Sequence, residues 1–507
     1  MLQFDDIIIG AGHNGLICAT YLSKAGHKVA VFEKDSEIGG AIRTRELTLP
    51  GRKHEVLSGG HLRYLPLSPA FRELEMEKYG VRLVKFKKSF ASAFPNGKCI
   101  CLYGENLKKT MEEIGKFSQK DAKSWENLYG FYLKMKPVLN KILFTPNPFS
   151  YGSLFWLYRK LKKKGLLDLF SFMLESPRTF LDEWFESEEA KSFLGASALH
   201  PAECLETNGM FPGFIWAMPQ QEDNASIVVG GASKLCDALR AYIQDHGGII
   251  QTNTEIMRIL IKDGKAVGVQ THDGKQVFAK RNVVANVEPK QLFLKLIGEE
   301  YLDKEFIRKV KGYHFAATTL MVHALLREPP KWDADDLKDS GTTHFGPYLK
   351  DMARAANEAI NGQLPEKPFF MTDNNSLYDP TRVIGNEWIL WMLVATVPYD
   401  VKWESVGEEY ADRCIDILEE YARVKDKIIK RIVITPPQIE RMNPNLIKGD
   451  RDSGSFVGKQ LFFRPFATGL KSPYHTPIEK LYMVGAFTWP GPGINGASGY
   501  NVGKMLA

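Results

Sequence analysis

Apolar residues near the N-terminus form one unbroken run. Asp5-Asp6-Ile7-Ile8-Ile9 is short and β-branched, the pattern of a parallel strand covered on both faces. Residues 16–26 change to helical spacing, and 28–33 return to a strand with an acid at its tip. The spacing predicts a helix over 71–80 ending at Gly80. It predicts a hairpin of 89–94 and 98–103 around Pro95-Asn96-Gly97. From about 105 to 200 the pattern is mostly helical. Residues 209–224, rich in Gly, Pro, Met and Gln, are expected to form a loop. The stretch Val228 to Leu235 begins a helix that continues to about His246 and stops at Gly247-Gly248, and a strand follows at 249–252. A meander through Asp263-Gly264 and Asp273-Gly274 comes next, with strands at 276–279 and 281–286. Strands over 318–326, 369–374 and 388–397 and a helix over 405–423 occupy much of 291–440. A strand at 481–486, a Pro-Gly-rich turn and a helix close the chain.

The first strand runs into Gly10-Ala11-Gly12-His13-Asn14-Gly15. Three glycines at this spacing, between a strand and a helix, let the chain turn, let backbone approach a pyrophosphate and let the helix pack on the strand. The helix N-terminus then offers free N–H groups and positive dipole to phosphate. Gly10, Gly12, His13, Asn14 and Gly15 are therefore candidate dinucleotide-binding residues. Glu33, at the tip of the second strand, can accept from ribose hydroxyls, and its charge disfavours a 2′-phosphate. Lys34 begins the stretch Lys-Asp-Ser-Glu-Ile-Gly-Gly. Gly39 and Gly40 allow close backbone approach, and Arg43 can neutralise phosphate. Gly60 and His61, in Ser58-Gly59-Gly60-His61, are the early residues placed to pass a cofactor ring, and His61 is the one weak catalytic candidate.

The composition changes little. At 507 residues, with 44% apolar side chains, two to four domains are expected. A net charge of +6, from 66 basic and 60 acidic residues, does not suggest a nucleic-acid binder. Six cysteines without a C-x-x-C pair fit reduced thiols, no metal site and a cytoplasmic location, and exclude a dithiol reductase. No signal peptide is expected, because the first strand begins by Phe4, and no apolar stretch is long enough to span a bilayer. Residues 154–170 mix Phe, Trp and Tyr with Arg159, Lys160, Lys162, Lys163 and Lys164. The favoured expectation is a surface helix whose aromatics cover a substrate cavity. The alternative is an interfacial helix touching a membrane peripherally.

The glycine fingerprint with its Gly-Gly extension resembles the flavoproteins with two dinucleotide-binding domains. Adding the glycine-led helix at 230–246, the Asp-Gly turns and the Val283-Val284-Ala285-Asn286 strand, the chain resembles the phytoene-desaturase-type oxidoreductases. The nearest subgroup is that of the pyridine-nucleotide-disulfide-oxidoreductase-domain proteins, through Gly12-His13-Asn14-Gly15. The resemblance covers nearly the whole chain in three ordered segments. It implies non-covalent FAD, with Ile256 near the adenine, Asn286 at the cofactor, and Gly485, Ala486, Gly493, Ile494 and Asn495 about the flavin. Trp489 stands where many relatives have histidine. No cysteine follows Cys414, which excludes a C-terminal thioether to the flavin.

The expected architecture is α/β, a Rossmann-like FAD domain of the two-dinucleotide-binding-domain type. That domain is discontinuous, over 1–88, 225–290 and 445–507. A mixed-sheet substrate domain with a helical cap comes from 89–224 and 291–444. The expected activity is FAD-dependent removal of hydride from a carbon of an apolar or amphipathic small molecule. The alternatives are a flavin amine oxidase, a redox-neutral isomerase or saturase, and a non-catalytic flavin-bound scaffold at a membrane. The electron acceptor, the catalytic base and the oligomeric state have no sequence signal.

Overall fold

The computed structural model describes all residues except 1, 65–66, 149, 201–203, 208–209, 316–317, 457 and 468. Two sheets organise it. In the first, strands run in the order Ile256–Lys262, Lys265–Thr271, Gln276–Ala285, Leu2–Ile9, Val29–Phe32 and Ile249–Gln251. Leu2–Ile9 is central, with Ile8 paired to Val284 on one side and Val31 on the other, both parallel. Ile7 and Ile8 are completely buried, as an unbroken apolar run requires when both sheet faces are covered. The helix His13–Lys24 follows the fingerprint and packs on this sheet.

The two strands expected at 276–279 and 281–286 are one, Gln276–Ala285. Its first half pairs antiparallel with Lys265–Thr271, and its second half pairs parallel with Leu481–Met483. Lys280 and Arg281 sit exposed at the handover, which is why the apolar pattern breaks there while the backbone ladder does not.

The second sheet has the order Ile428–Ile434, Thr319–Leu326, Trp388–Ala395, Phe370–Asp373, Ser340–Phe345, Lys88–Phe94, Lys98–Cys101. The hairpin forms as expected, with Phe94 opposite Lys98 and both Asn96 and Gly97 at positive φ. One sheet face packs Leu320, Val322, Met392 and Val394 with the helix Trp403–Glu419. The other turns Met321, Met371, Trp391 and Leu393 toward the helices of the middle of the chain. Those include Gln119–Leu143, Tyr151–Leu174 and Glu188–Ala198.

Three further expectations fail. Residues 210–222 are a helix, Met210–Glu222, not a loop. Phe214, Ala217 and Met218 are buried in it, and a Cβ at Gly213 would lie 2.6 Å from the Ala198 Cα. Burial against Glu188–Ala198 outweighs the two prolines. The helix at 71–80 is instead Pro69–Glu73 and a separate turn Met76–Tyr79, parted by Glu75 in the left-handed region at φ 46°. The aromatics of 154–170 do not cover a cavity. Phe155 and Phe170 are 62% and 50% exposed, and Tyr158 and Leu167 are exposed with them. All six cysteines are free and buried.

Candidate functional site

The fingerprint is a closely packed corner. A Cβ on Gly12 would lie 2.7 Å from the Asn286 amide, and one on Gly15 would lie 2.5 Å from the Gly10 carbonyl oxygen. Gly10 takes φ +91°, which favours glycine, and its own Cβ position faces the Asn286 carbonyl at 3.0 Å. Asn286 follows the long strand directly. Its N–H donates to Ile9 O at 2.8 Å, and its side chain fills the space the three glycines leave. Gly39 donates to Ala11 O at 2.9 Å, so the Gly39-Gly40 turn lies against the fingerprint.

Glu33 is buried and accepts from the Ala11 N–H at 2.8 Å and the Asp35 N–H at 3.1 Å. Burial raises its pKa despite those bonds. Arg43 pairs with Asp35 at 2.7 Å, yet its buried Nε and the buried Asn14 Oδ1 have no partner among the described residues. Buried polar atoms are nearly always paired. Unpaired ones beside a glycine cradle fit a polar ligand there.

The C-terminal segment closes the corner. Gly485, at φ +143°, donates to Ser498 Oγ at 3.0 Å. The helix Ala497–Leu506 lies on His13–Lys24, with Gly499 and Gly503 permitting contact: a Cβ on Gly499 would lie 2.4 Å from Asn14 O. Asn495 Oδ1 accepts from the Ala497 N–H at 2.8 Å and fixes that helix start. His13 lies beside Gly493, and burial lowers its pKa to about 4, so it is neutral at pH 7.

One cavity, with about 1750 Å³ of empty space counting its mouth, starts here. At the fingerprint end it is lined by Gly12, His13, Asn14, Gly40, Asn286, Ala486, Gly493, Ile494 and Asn495. The same cavity is lined by Leu57, Met371, Trp391 and Leu393, and by His61, Arg63, His200, Trp216 and Arg451. Sheet alternation aims Trp391 and Leu393, two apart on one strand, at the same side.

His61 does not have a free base nitrogen. Its Nδ1 accepts from Arg63 Nη2 at 2.8 Å, and its Nε2 lies 3.0 Å from Asn375 Oδ1 and 3.2 Å from Asp373 Oδ2. An arginine can only donate, so this network assigns the proton to Nε2. Burial, then the nearby Arg63 charge, holds His61 neutral, well below its usual pKa. Its geometry suits orienting Arg63.

The structure therefore brings ten of the expected residues to one cavity wall: nine at the fingerprint end, with His61 farther in. Gly10, Gly15, Gly39 and Gly485 shape the backbone behind it. Gly60, at φ +72°, packs on Ala232 and Glu55. Lys34 is exposed at the strand tip. Ile256 is buried at the start of its strand, opposite Thr271, and is not on the cavity wall. Sequence reasoning missed Arg63, His200, Trp216 and Arg451 as site residues. They are distant in sequence and carry no spacing signal.

Known proteins share this architecture. The chain is 28% identical to mouse pyridine nucleotide-disulfide oxidoreductase domain-containing protein 2, over 99% of this chain and 93% of that protein. It is 28% identical to a limonene dehydrogenase polypeptide of Castellaniella defragrans, over 100% and 94%. Its fold matches an oxidoreductase of Methanosarcina mazei with a TM-score of 0.62 at 18% identity, covering 100% of both chains. The first of these agrees with the subgroup resemblance drawn from Gly12 to Gly15. A family profile described as flavin containing amine oxidoreductase matches residues 15–497, from the last glycine of the fingerprint through the cavity walls. The chain belongs to that family and is an FAD-dependent oxidoreductase.

Proposed function

We propose that Gly12, His13, Asn14, Gly40, Asn286 and the 485–495 segment hold FAD non-covalently, with Glu33 and Ile256 toward the adenosine and Arg43 toward the diphosphate. In this reading 1–88, 225–290 and 445–507 form the cofactor unit, and 89–224 with 291–444 form the substrate unit. The substrate is an apolar or amphipathic small molecule that is dehydrogenated at carbon. Bound FAD supplies the hydride acceptor. The chain supplies position: two helix N-termini, at His13 and Ala497, meet the cofactor end of the cavity and favour negative charge there. Met371, Trp391 and Leu393 give the cavity an apolar wall.

The observation that carries this reading is the continuity of one cavity from the glycine corner to an apolar wall. The name of one relative, limonene dehydrogenase, points to the same substrate class. The test is the absorbance spectrum of purified protein, then anaerobic reduction by apolar alkenes and by primary amines in parallel. Heat-released flavin and bleaching by the former are expected. Bleaching by amines alone would replace the dehydrogenation reading with amine oxidation, and absence of flavin after incubation with FAD would refute both.

A second reading concerns Tyr151–Leu174. Phe155, Tyr158, Leu167 and Phe170 are exposed beside Lys160, Lys163 and Lys164. Aromatic and basic residues together on the exposed face of a helix suit a lipid interface. No helix among the described residues is long and apolar enough to cross a membrane. Co-sedimentation with anionic vesicles that is lost on neutralising the three lysines is expected. No sedimentation would remove this reading.

A further inference from the structure

Part of the cavity wall is basic. Among the described residues, three charged side chains line the cavity: Arg63, Arg451 and Asp452. Among the described residues, the hydrogen-bond partners of Arg63 are neutral. Its Nη2 donates to His61 Nδ1 at 2.8 Å and to Thr342 Oγ1 at 3.2 Å, and its guanidinium stands 4.8 Å over the Trp216 ring. Arg451 donates from Nη2 to the His200 carbonyl, and its Nε lies 3.7 Å from Asp452. Its buried Nη1 has no partner among the described residues, and neither has the Nε1 of Trp391, which is 4% exposed on the same wall. His200 ties the two arginines together. It stacks on Trp216 at 4.0 Å and accepts from Arg451 through its carbonyl.

Among the described residues, the groups behind this wall do not cancel its charge. Asp450 is occupied by the N–H groups of Asp452 and Gly454, and Arg464 stands near it, donating to four backbone carbonyls. Burial pushes Asp373 up to about 8, so its carboxyl is mostly protonated at pH 7. Burial also lowers both arginines, the mark of cations without full compensation. Among the described residues, two guanidinium groups against one lining carboxylate leave a single positive charge on the cavity wall. Buried charge of this kind is costly until it is paired. A carboxylate carries one negative charge and matches the planar donor fork of arginine. A phosphate monoester carries about two and overshoots the balance.

Building on the FAD-dehydrogenase reading above, we propose that the substrate is an amphipathic carboxylic acid. Its carboxylate sits between Arg63 and Arg451, and its apolar body lies along Met371, Trp391 and Leu393 toward the cofactor end. His61 is a positioning residue that holds Arg63.

The test titrates the FAD-loaded protein with dodecanoate, methyl dodecanoate and dodecyl phosphate, following flavin absorbance and the fluorescence of the cavity tryptophans. Dodecanoate is expected to bind at least tenfold more tightly than its ester and more tightly than the phosphate. Arg63→Gln and Arg451→Gln are each expected to weaken dodecanoate tenfold or more and leave the ester unchanged, with full FAD content. The wild-type comparison of acid with ester needs no variant and guards against a misfolded one. Equal binding of acid and ester, or unaltered acid binding in both variants, would overturn the subsite while leaving the FAD reading intact. Tighter binding of dodecyl phosphate would overturn the carboxylate assignment. A protein that takes up no FAD but still prefers acid to ester by fluorescence would refute the cofactor placement and support the subsite.

Discussion

Gly15→Ala is the sharpest perturbation of the cofactor corner. The added methyl would stand 2.5 Å from the Gly10 carbonyl oxygen, 3.1 Å from the Asn286 amide nitrogen and 3.3 Å from its Cβ. The first contact is with backbone, and it falls about an ångström short of ordinary contact, the kind of overpacking that costs about 1–3 kcal/mol. Asn286 cannot yield easily, since its N–H is held by Ile9 O at 2.8 Å and its carbonyl accepts from Asn445 at 3.0 Å. Relief must come from moving the helix His13–Lys24 off the strand, which carries the amides of residues 12–15 away from where phosphate would lie. If the whole cost appears in binding, FAD affinity falls by about 5- to 150-fold, at about 1.4 kcal/mol per tenfold. The assay is quenching of free FAD fluorescence by apoprotein. Gly26→Ala is the control: its methyl meets nothing within 4 Å, although φ +85° strains it. It should lose about 1–2 kcal/mol of stability and keep wild-type FAD affinity. A Gly15→Ala protein with affinity within twofold of wild type would refute the close-approach reasoning.

Gly130 lies inside Gln119–Leu143 with open space around its Cβ position. Gly130→Ala should therefore raise stability by up to about 1 kcal/mol in denaturant titrations. Arg382 bridges Glu55 at 2.7 Å and Asp379 at 2.9 Å, all three at most 2% exposed. Arg382→Met leaves two buried carboxylates and should cost about 3–5 kcal/mol, read as a lower urea midpoint or loss of soluble protein. Asp373 has its folded pKa raised by burial to about 8, against an unfolded value near 3.8. The folded state holds a proton the unfolded chain has released, so stability is greatest below the unfolded pKa and declines as pH rises to about 8. Asp373→Asn should flatten the fall in urea midpoint between about pH 5 and 8. Parallel curves for the two proteins would show that Asp373 is already ionised in the fold.

The sequence by itself determined the cofactor corner. A strand, three glycines, a helix and an acid act over forty consecutive residues, where local backbone sterics decide the conformation. The hairpin at Asn96-Gly97 was legible for the same reason: two residues that tolerate positive φ fix a turn without help from afar. Tertiary structure decided the rest. Met210–Glu222 is helical because Ala198 packs on Gly213 and its apolar residues have a core to enter, which local propensity cannot register. Gln276–Ala285 is one strand because neighbours from three parts of the chain pair with it in turn. The exposed face of Tyr151–Leu174 has the same composition as a buried one, and only packing shows which side faces out. Arg63, His200 and Arg451 converge from positions more than a hundred residues apart. Polar residues carry no periodicity when buried singly, so the chemistry of the inner cavity became visible only when the fold brought their side chains to one wall.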